Sequence, residues 1–142
     1  MRARIIGAGL ALAGLAAAMP AGAEEERPLG AREFEARCAV CHGADARGQG
    51  PYAMFLKTAP GDLTTLAAEN GGEFPFERVY RIIDGRTEIV AHGPREMPVW
   101  GYEYNEEAQR YYRGLLGPVQ AETYVTGRIL ALIRHLEQVQ EP

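Results

Sequence analysis

Cys38-Ala39-Val40-Cys41-His42 places the chain's only two cysteines three positions apart, with an imidazole directly after the second. Two thiols at that spacing can add across the two vinyl groups of one porphyrin. The histidine that follows then meets the iron on the same face. Cys-x-x-Cys-His is the attachment pattern of c-type haem, which makes Cys38 and Cys41 thioether candidates and His42 the proximal-ligand candidate. Such a site also needs a second axial ligand, a dry pocket and delivery to the compartment where haem is attached.

The second ligand is sought in Ala91-His92-Gly93-Pro94-Arg95-Glu96-Met97-Pro98-Val99-Trp100-Gly101. Two prolines and two glycines keep this stretch irregular. A thioether is a soft, neutral ligand, and His/Met ligation raises the potential of haem iron. Met97, on a proline-stiffened loop, loses little entropy when held there. A lone methionine ordinarily fills a core gap; beside Cys-x-x-Cys-His the axial role for Met97 takes precedence. Trp100 is placed to cover the haem edge. His92, in the same loop, is the rival ligand, because imidazole suits iron. Met54 lies twelve residues past His42, too near in chain to reach the opposite face. His135 falls on the last helix, to be packed or exposed there.

Two other readings use the same cysteines. A disulfide oxidoreductase uses Cys-x-x-Cys but needs a βαβ pattern, which the chain lacks. A zinc site needs further ligands at usable spacing, and only His92 and His135 remain.

The elements that must position these residues are helical by period. Gly30, Phe34 and Cys38 lie four apart on one stripe, and Phe34 is expected in a core that includes the haem. Glu33 and Arg37, also four apart, read as a weak pair on the outer side. Gly43 to Pro51 holds three glycines and a proline and reads as a loop. A ligating imidazole donates its other N–H to an acceptor, and the Pro51 carbonyl is the candidate. Pro60 to Leu66 reads as a turn, an Asp62 N-cap and a short helix ended at Asn70-Gly71-Gly72. Phe76, Val79, Tyr80 and Ile83 repeat at helical spacing, with Gly85 as the C′ residue. Tyr102 to Gly117 reads as a polar, tyrosine-rich surface excursion. Val125, Ile129, Leu132, Ile133 and Leu136 form the buried face of a last helix from about Ala121 to Val139. Gly127 costs that helix about 1 kcal/mol relative to Ala. A crossing of the first and last helices explains both Gly30 and Gly127.

Arg2 and Arg4, the apolar run Ile5 to Met19, Pro20 and Ala21-Gly22-Ala23 have the three-part layout of a secretory signal peptide. Residues 1–23 are read as that signal, the alternative being an uncleaved anchor, and residues 24–142 as one domain. All 19 Asp and Glu lie in the second part against 13 of the 15 Lys and Arg, so removal of the signal takes the formal charge from −4 to −6. Lys57 is the only lysine. Nucleic-acid binding calls for a basic patch, and nothing in this balance favours it.

Taken together, residues 29–139 resemble a class I c-type cytochrome. The resemblance rests on Gly30-x-x-x-Phe34-x-x-x-Cys38-x-x-Cys41-His42, the glycine-rich loop to Pro51, Met97-Pro98-x-Trp100-Gly101 and the closing amphipathic helix. It implies a small all-α fold wrapped around one covalently attached haem c. Cys38 and Cys41 would carry the thioethers, and His42 and Met97 would be the axial ligands. The Pro51 carbonyl would face the proximal imidazole, and Gly30 and Phe34 would pack on the last helix. In that helix the family has an aromatic residue where this chain has His135, in Leu132-Ile133-Arg134-His135-Leu136.

The function this implies is a periplasmic single-haem electron carrier that passes one electron between redox partner proteins and is not itself an enzyme. The alternatives are a haem enzyme or ligand-binding sensor with a labile or His92-ligated sixth site, and an electron-transfer subunit of a membrane redox complex that keeps its N-terminal segment.

Overall fold

The computed structural model describes residues 26–86, 97–112 and 114–142. The signal-peptide reading of 1–23 and the rival ligand His92 lie outside the described residues. Within them the regular structure is helical, and no strand occurs. The all-α expectation holds.

α1 (Leu29–Glu33) passes through one π-helical turn, Phe34–Cys38, into α2 (Ala39–His42). The Ala39 N–H donates to Phe34 O, five residues back. Gly43, at φ 80, then turns the chain out of the helix, a conformation that glycine adopts without a Cβ penalty. α3 (Phe76–Asp84) ends where Gly85 takes the left-handed conformation, φ 66, as a C′ glycine should. α4 (Trp100–Tyr112) and α5 (Pro118–Gln138) complete the set.

α5 is the spine: α1, α3 and α4 all pack on it. Its expected apolar face, Val125, Ile129, Leu132, Ile133 and Leu136, is buried throughout. Phe34, Val79, Ile83 and Tyr104 meet it to form one core. Each such side chain withdrawn from water contributes about 1.5–3 kcal/mol, so a helix with five of them dominates the fold.

The crossing of α1 and α5 is as close as the sequence suggested, but only one of its two glycines serves it. A Cβ on Gly30 would overlap the Ala131 carbonyl and touch His135 Cβ at 3.0 Å. The small residue facing it on α5 is therefore Ala131. Gly127 points to open space, with nothing within 4 Å of a Cβ placed there. His135 keeps the flat-ring contact expected of an aromatic at its position, its ring 5.1 Å from that of Phe34 and tilted by 48°.

Two local readings are corrected. The stretch after Met97 is a regular thirteen-residue helix, not a surface excursion. Its buried residues are Gly101, Tyr104 and Ala108, one narrow stripe against α3 and α5. Between Pro60 and Gly72 there is no α-helix. Asp62 Oδ1 accepts from the Thr64 N–H (2.8 Å) and hydroxyl (2.6 Å), closing a local turn. A 3-10 turn, Ala68–Asn70, follows and is ended by left-handed Gly71.

Candidate haem site

The loop after His42 folds back beneath the helical segment that carries the cysteines. Backbone bonds fix it there: Gly48 N–H to His42 O (2.7 Å), Gly50 N–H to Cys41 O (3.0 Å) and Tyr52 N–H to Val40 O (2.8 Å). Gly50 packs so closely that a Cβ would lie 2.5–2.6 Å from Val40 O, Ala39 O and Cys41 C. This position admits only glycine without a backbone shift.

The chain then swings round to bring Gly61 to the imidazole. His42 Nδ1 lies 3.3 Å from the Gly61 carbonyl oxygen. A carbonyl only accepts, so Nδ1 carries the proton and donates, and Nε2 keeps its lone pair. Burial lowers the His42 pKa below its ordinary 6.5, with the Gly61 bond opposing it in part. A neutral imidazole with Nδ1 protonated is the tautomer that binds iron through Nε2. The acceptor is thus Gly61, not Pro51 as read from the spacing. Pro51 is exposed beside Gly50 in the returning strand of the loop, ten residues too early.

Cys38 and Cys41 are half-buried and not joined to each other. Burial pushes the Cys38 thiol up to about 12, against the lowering influence of Arg37. A redox-active cysteine needs a lowered pKa, so this environment opposes the disulfide-exchange reading. No cluster of three or more His, Cys, Asp or Glu side chains suited to a metal ion occurs among the described residues.

Phe34 is 3% exposed in the core. Met97, Trp100 and Cys38 are half-buried against that same core, together with Leu63, Leu66, Phe74 and Tyr80. Trp100 opens α4 and lies 6.0 Å from the Tyr104 ring. Gly101 is explained by α3: a Cβ there would lie 2.6 Å from Asp84 O and Arg86 Nε. Arg86 grips Asp84 (2.7 Å) and makes a two-pronged pair with Glu122 of α5 (2.8 Å each). The Met97-Pro98-x-Trp100-Gly101 segment is therefore anchored at the point where α3, α4 and α5 meet. Met54, by contrast, is 80% exposed.

The Glu33–Arg37 pair expected from the sequence is present, but it belongs to a buried polar cluster behind Cys38 and not to the outer side. Glu33 is 6% exposed. It accepts from the Tyr104 hydroxyl (3.0 Å), pairs with Arg128 and lies 3.3 Å from Arg37 Nε. Arg37 also pairs with Glu107, which accepts from the Tyr124 hydroxyl at 2.8 Å. Arg128 donates to the Tyr124 oxygen at 2.6 Å. Two carboxylates thus face two guanidinium groups, with two tyrosines between them. The Arg37 guanidinium also lies over the Tyr104 and Trp100 rings, at 5.3 and 5.8 Å, where the ring faces attract a cation. Burial holds the Tyr104 pKa above its ordinary 10, so the hydroxyl stays a donor. The signal for this cluster was the four-residue spacing of Glu33 and Arg37, taken with tyrosines and an arginine on two later helices.

The cytochrome c family model matches residues 29–110, more than half of the chain, and the chain belongs to the cytochrome c family. That is a family of haem-based electron-transfer proteins, and membership implies covalent haem c. The residues present fit the group. Two free thiols stand at Cys-x-x-Cys spacing, and the next residue is an imidazole with one nitrogen held by a carbonyl and the other available. Large exposed apolar side chains, Val40, Tyr52, Met54 and Phe55, flank the same turn. No curated protein and no solved structure matches the chain.

Proposed function

We propose that this protein is a periplasmic carrier of single electrons, with one haem c attached through Cys38 and Cys41 and ligated by His42 and Met97. The observation that carries the proposal is the Nδ1–H···O=C bond from His42 to Gly61. It presents Nε2, in the ligand tautomer, on the residue directly after the second thiol. When bound, haem c supplies a one-electron iron couple whose potential depends on its axial ligands and its surroundings. The protein's part would be to hold His42 and Met97, to exclude water with Phe34, Leu63 and Trp100, and to leave an edge for partners. His42 and Met97 would hold the iron between them and leave it no substrate site, so the protein would act with a donor and an acceptor protein rather than as an enzyme. The three-part N-terminus supports export. Among the described residues no helix is long and apolar enough to cross a membrane.

The test is the absorption spectrum of the purified protein, oxidised and reduced, for wild type and Met97→Ala. A haem c spectrum with a weak thioether–iron band in the oxidised form, lost in Met97→Ala, is expected. Persistence of that band in Met97→Ala rules out Met97 as the ligand. Loss of ligation in a His92 variant instead transfers the role to His92.

A further inference from the structure

Beyond the end of α5, Gln140 uses nearly all of its hydrogen-bonding capacity. Its Nε2 donates to Leu63 O (2.7 Å) and to Leu136 O (2.8 Å), and its Oε1 accepts from the Ala67 N–H (2.8 Å). This set assigns the amide orientation, because two carbonyls demand the two N–H donors and the backbone N–H demands the oxygen. One bond covers an orphan carbonyl in the last turn of α5. The other two hold the segment that begins at Gly61. Glu141 adds its own N–H to Thr64 O (2.8 Å) and pairs with Arg47. From the opposite side the segment is held by the loop after His42, through Leu63 N–H to Ala46 O (2.8 Å).

We propose that Gln140 is a positioning residue for the proximal imidazole: its carboxamide fixes residues 63–67 against α5 and thereby holds the Gly61 carbonyl that orients His42. The inference rests on His42 being the iron ligand. A carbonyl that accepts from the ligating imidazole raises ligand basicity and favours the ferric state. Loosening Gly61 therefore weakens that donation and raises the midpoint potential.

The experiment uses the full-length haem-loaded protein as wild type, Gln140→Ala and Gln140→Glu, with Glu137→Gln as the control. Among the described residues Glu137 pairs with exposed Arg134, at 3.3 Å. Gln140→Glu keeps the side-chain length and the acceptor for Ala67 but loses both donors, and it carries the test should Gln140→Ala not fold. The readouts are solvent exchange of the His42 Nδ1 proton in the ferrous protein, by NMR, and the midpoint potential. Expected are exchange at least about tenfold faster and a higher potential in both Gln140 variants, with neither change in the control. Unchanged exchange and potential, even with a lowered melting temperature, overturn the proposal and reduce Gln140 to a helix cap. Wild-type protein without covalent haem, seen by mass, overturns the underlying reading and the proposal with it.

Discussion

The helical segment that carries Cys38, Cys41 and His42 is held from its two sides by different kinds of bond. On the His42 side three contacts are backbone to backbone, through Gly48, Gly50 and Tyr52, and a fourth runs from the imidazole to the Gly61 carbonyl. On the other side they are ionised and phenolic side chains, centred on Glu33 and Glu107. The His42 side is fixed largely by main-chain groups and depends on residues being small. The side-chain side sets the docking of α4 and α5 and depends on charges being matched. Damage to the first should cost the site, and damage to the second should cost stability while leaving the site recognisable.

Gly50→Ala should give the largest effect. Its Cβ would collide with three backbone atoms of the attachment turn, and covalent haem per protein, measured as the pyridine haemochrome, should fall by an order of magnitude or more. Glu33→Ala comes next. Removing one partner of a buried ion pair costs about 3 kcal/mol, to be read from denaturant unfolding, with the oxidised spectrum unchanged. If Glu33→Ala instead abolishes the haem spectrum while Gly50→Ala spares it, the division between the two sides is wrong.

Smaller is the response of His135 to pH. Burial lowers its pKa below the ordinary 6.5, so the folded state binds this proton less readily than the unfolded state. Its contribution to stability is complete above about pH 6.5 and declines as the pH falls below that value. His135→Phe should remove this component of the pH dependence, seen as a smaller loss of melting temperature between neutral and mildly acid solution. Smallest is Gly127→Ala, outside both sides. With open space around it, the substitution should stabilise α5 by about 1 kcal/mol. A loss of stability there would reveal a close contact that the structure does not contain.

What the sequence disclosed follows from how each feature is encoded. Cys38, Cys41 and His42 announce their chemistry by residue type, and α3 and α5 announce themselves by apolar period. α4 was missed because its buried stripe is Gly101, Tyr104 and Ala108, two small residues and one polar aromatic, among glutamates and tyrosines that read as surface. Glu33 reads as outward-facing because a carboxylate on a helix normally faces water. Its arginine partners on the same and the last helix are what reverse that rule. The Gly61 carbonyl carries no side-chain signature at all, so the sequence points to the nearer Pro51 instead. Gly127 shows the converse: a glycine's backbone freedom marks a close approach at Gly30 and nothing of the kind at Gly127.

In the proposed protein His42 and Met97 would fill both sides of the iron, for electron transfer rather than ligand chemistry. This is tested most directly by adding carbon monoxide to the reduced protein at neutral pH and following the absorption spectrum. The expected spectrum stays that of the six-coordinate reduced protein, with little or slow binding. Rapid and complete formation of the carbon monoxide adduct would contradict it and point to a sensor or enzyme with an open sixth site.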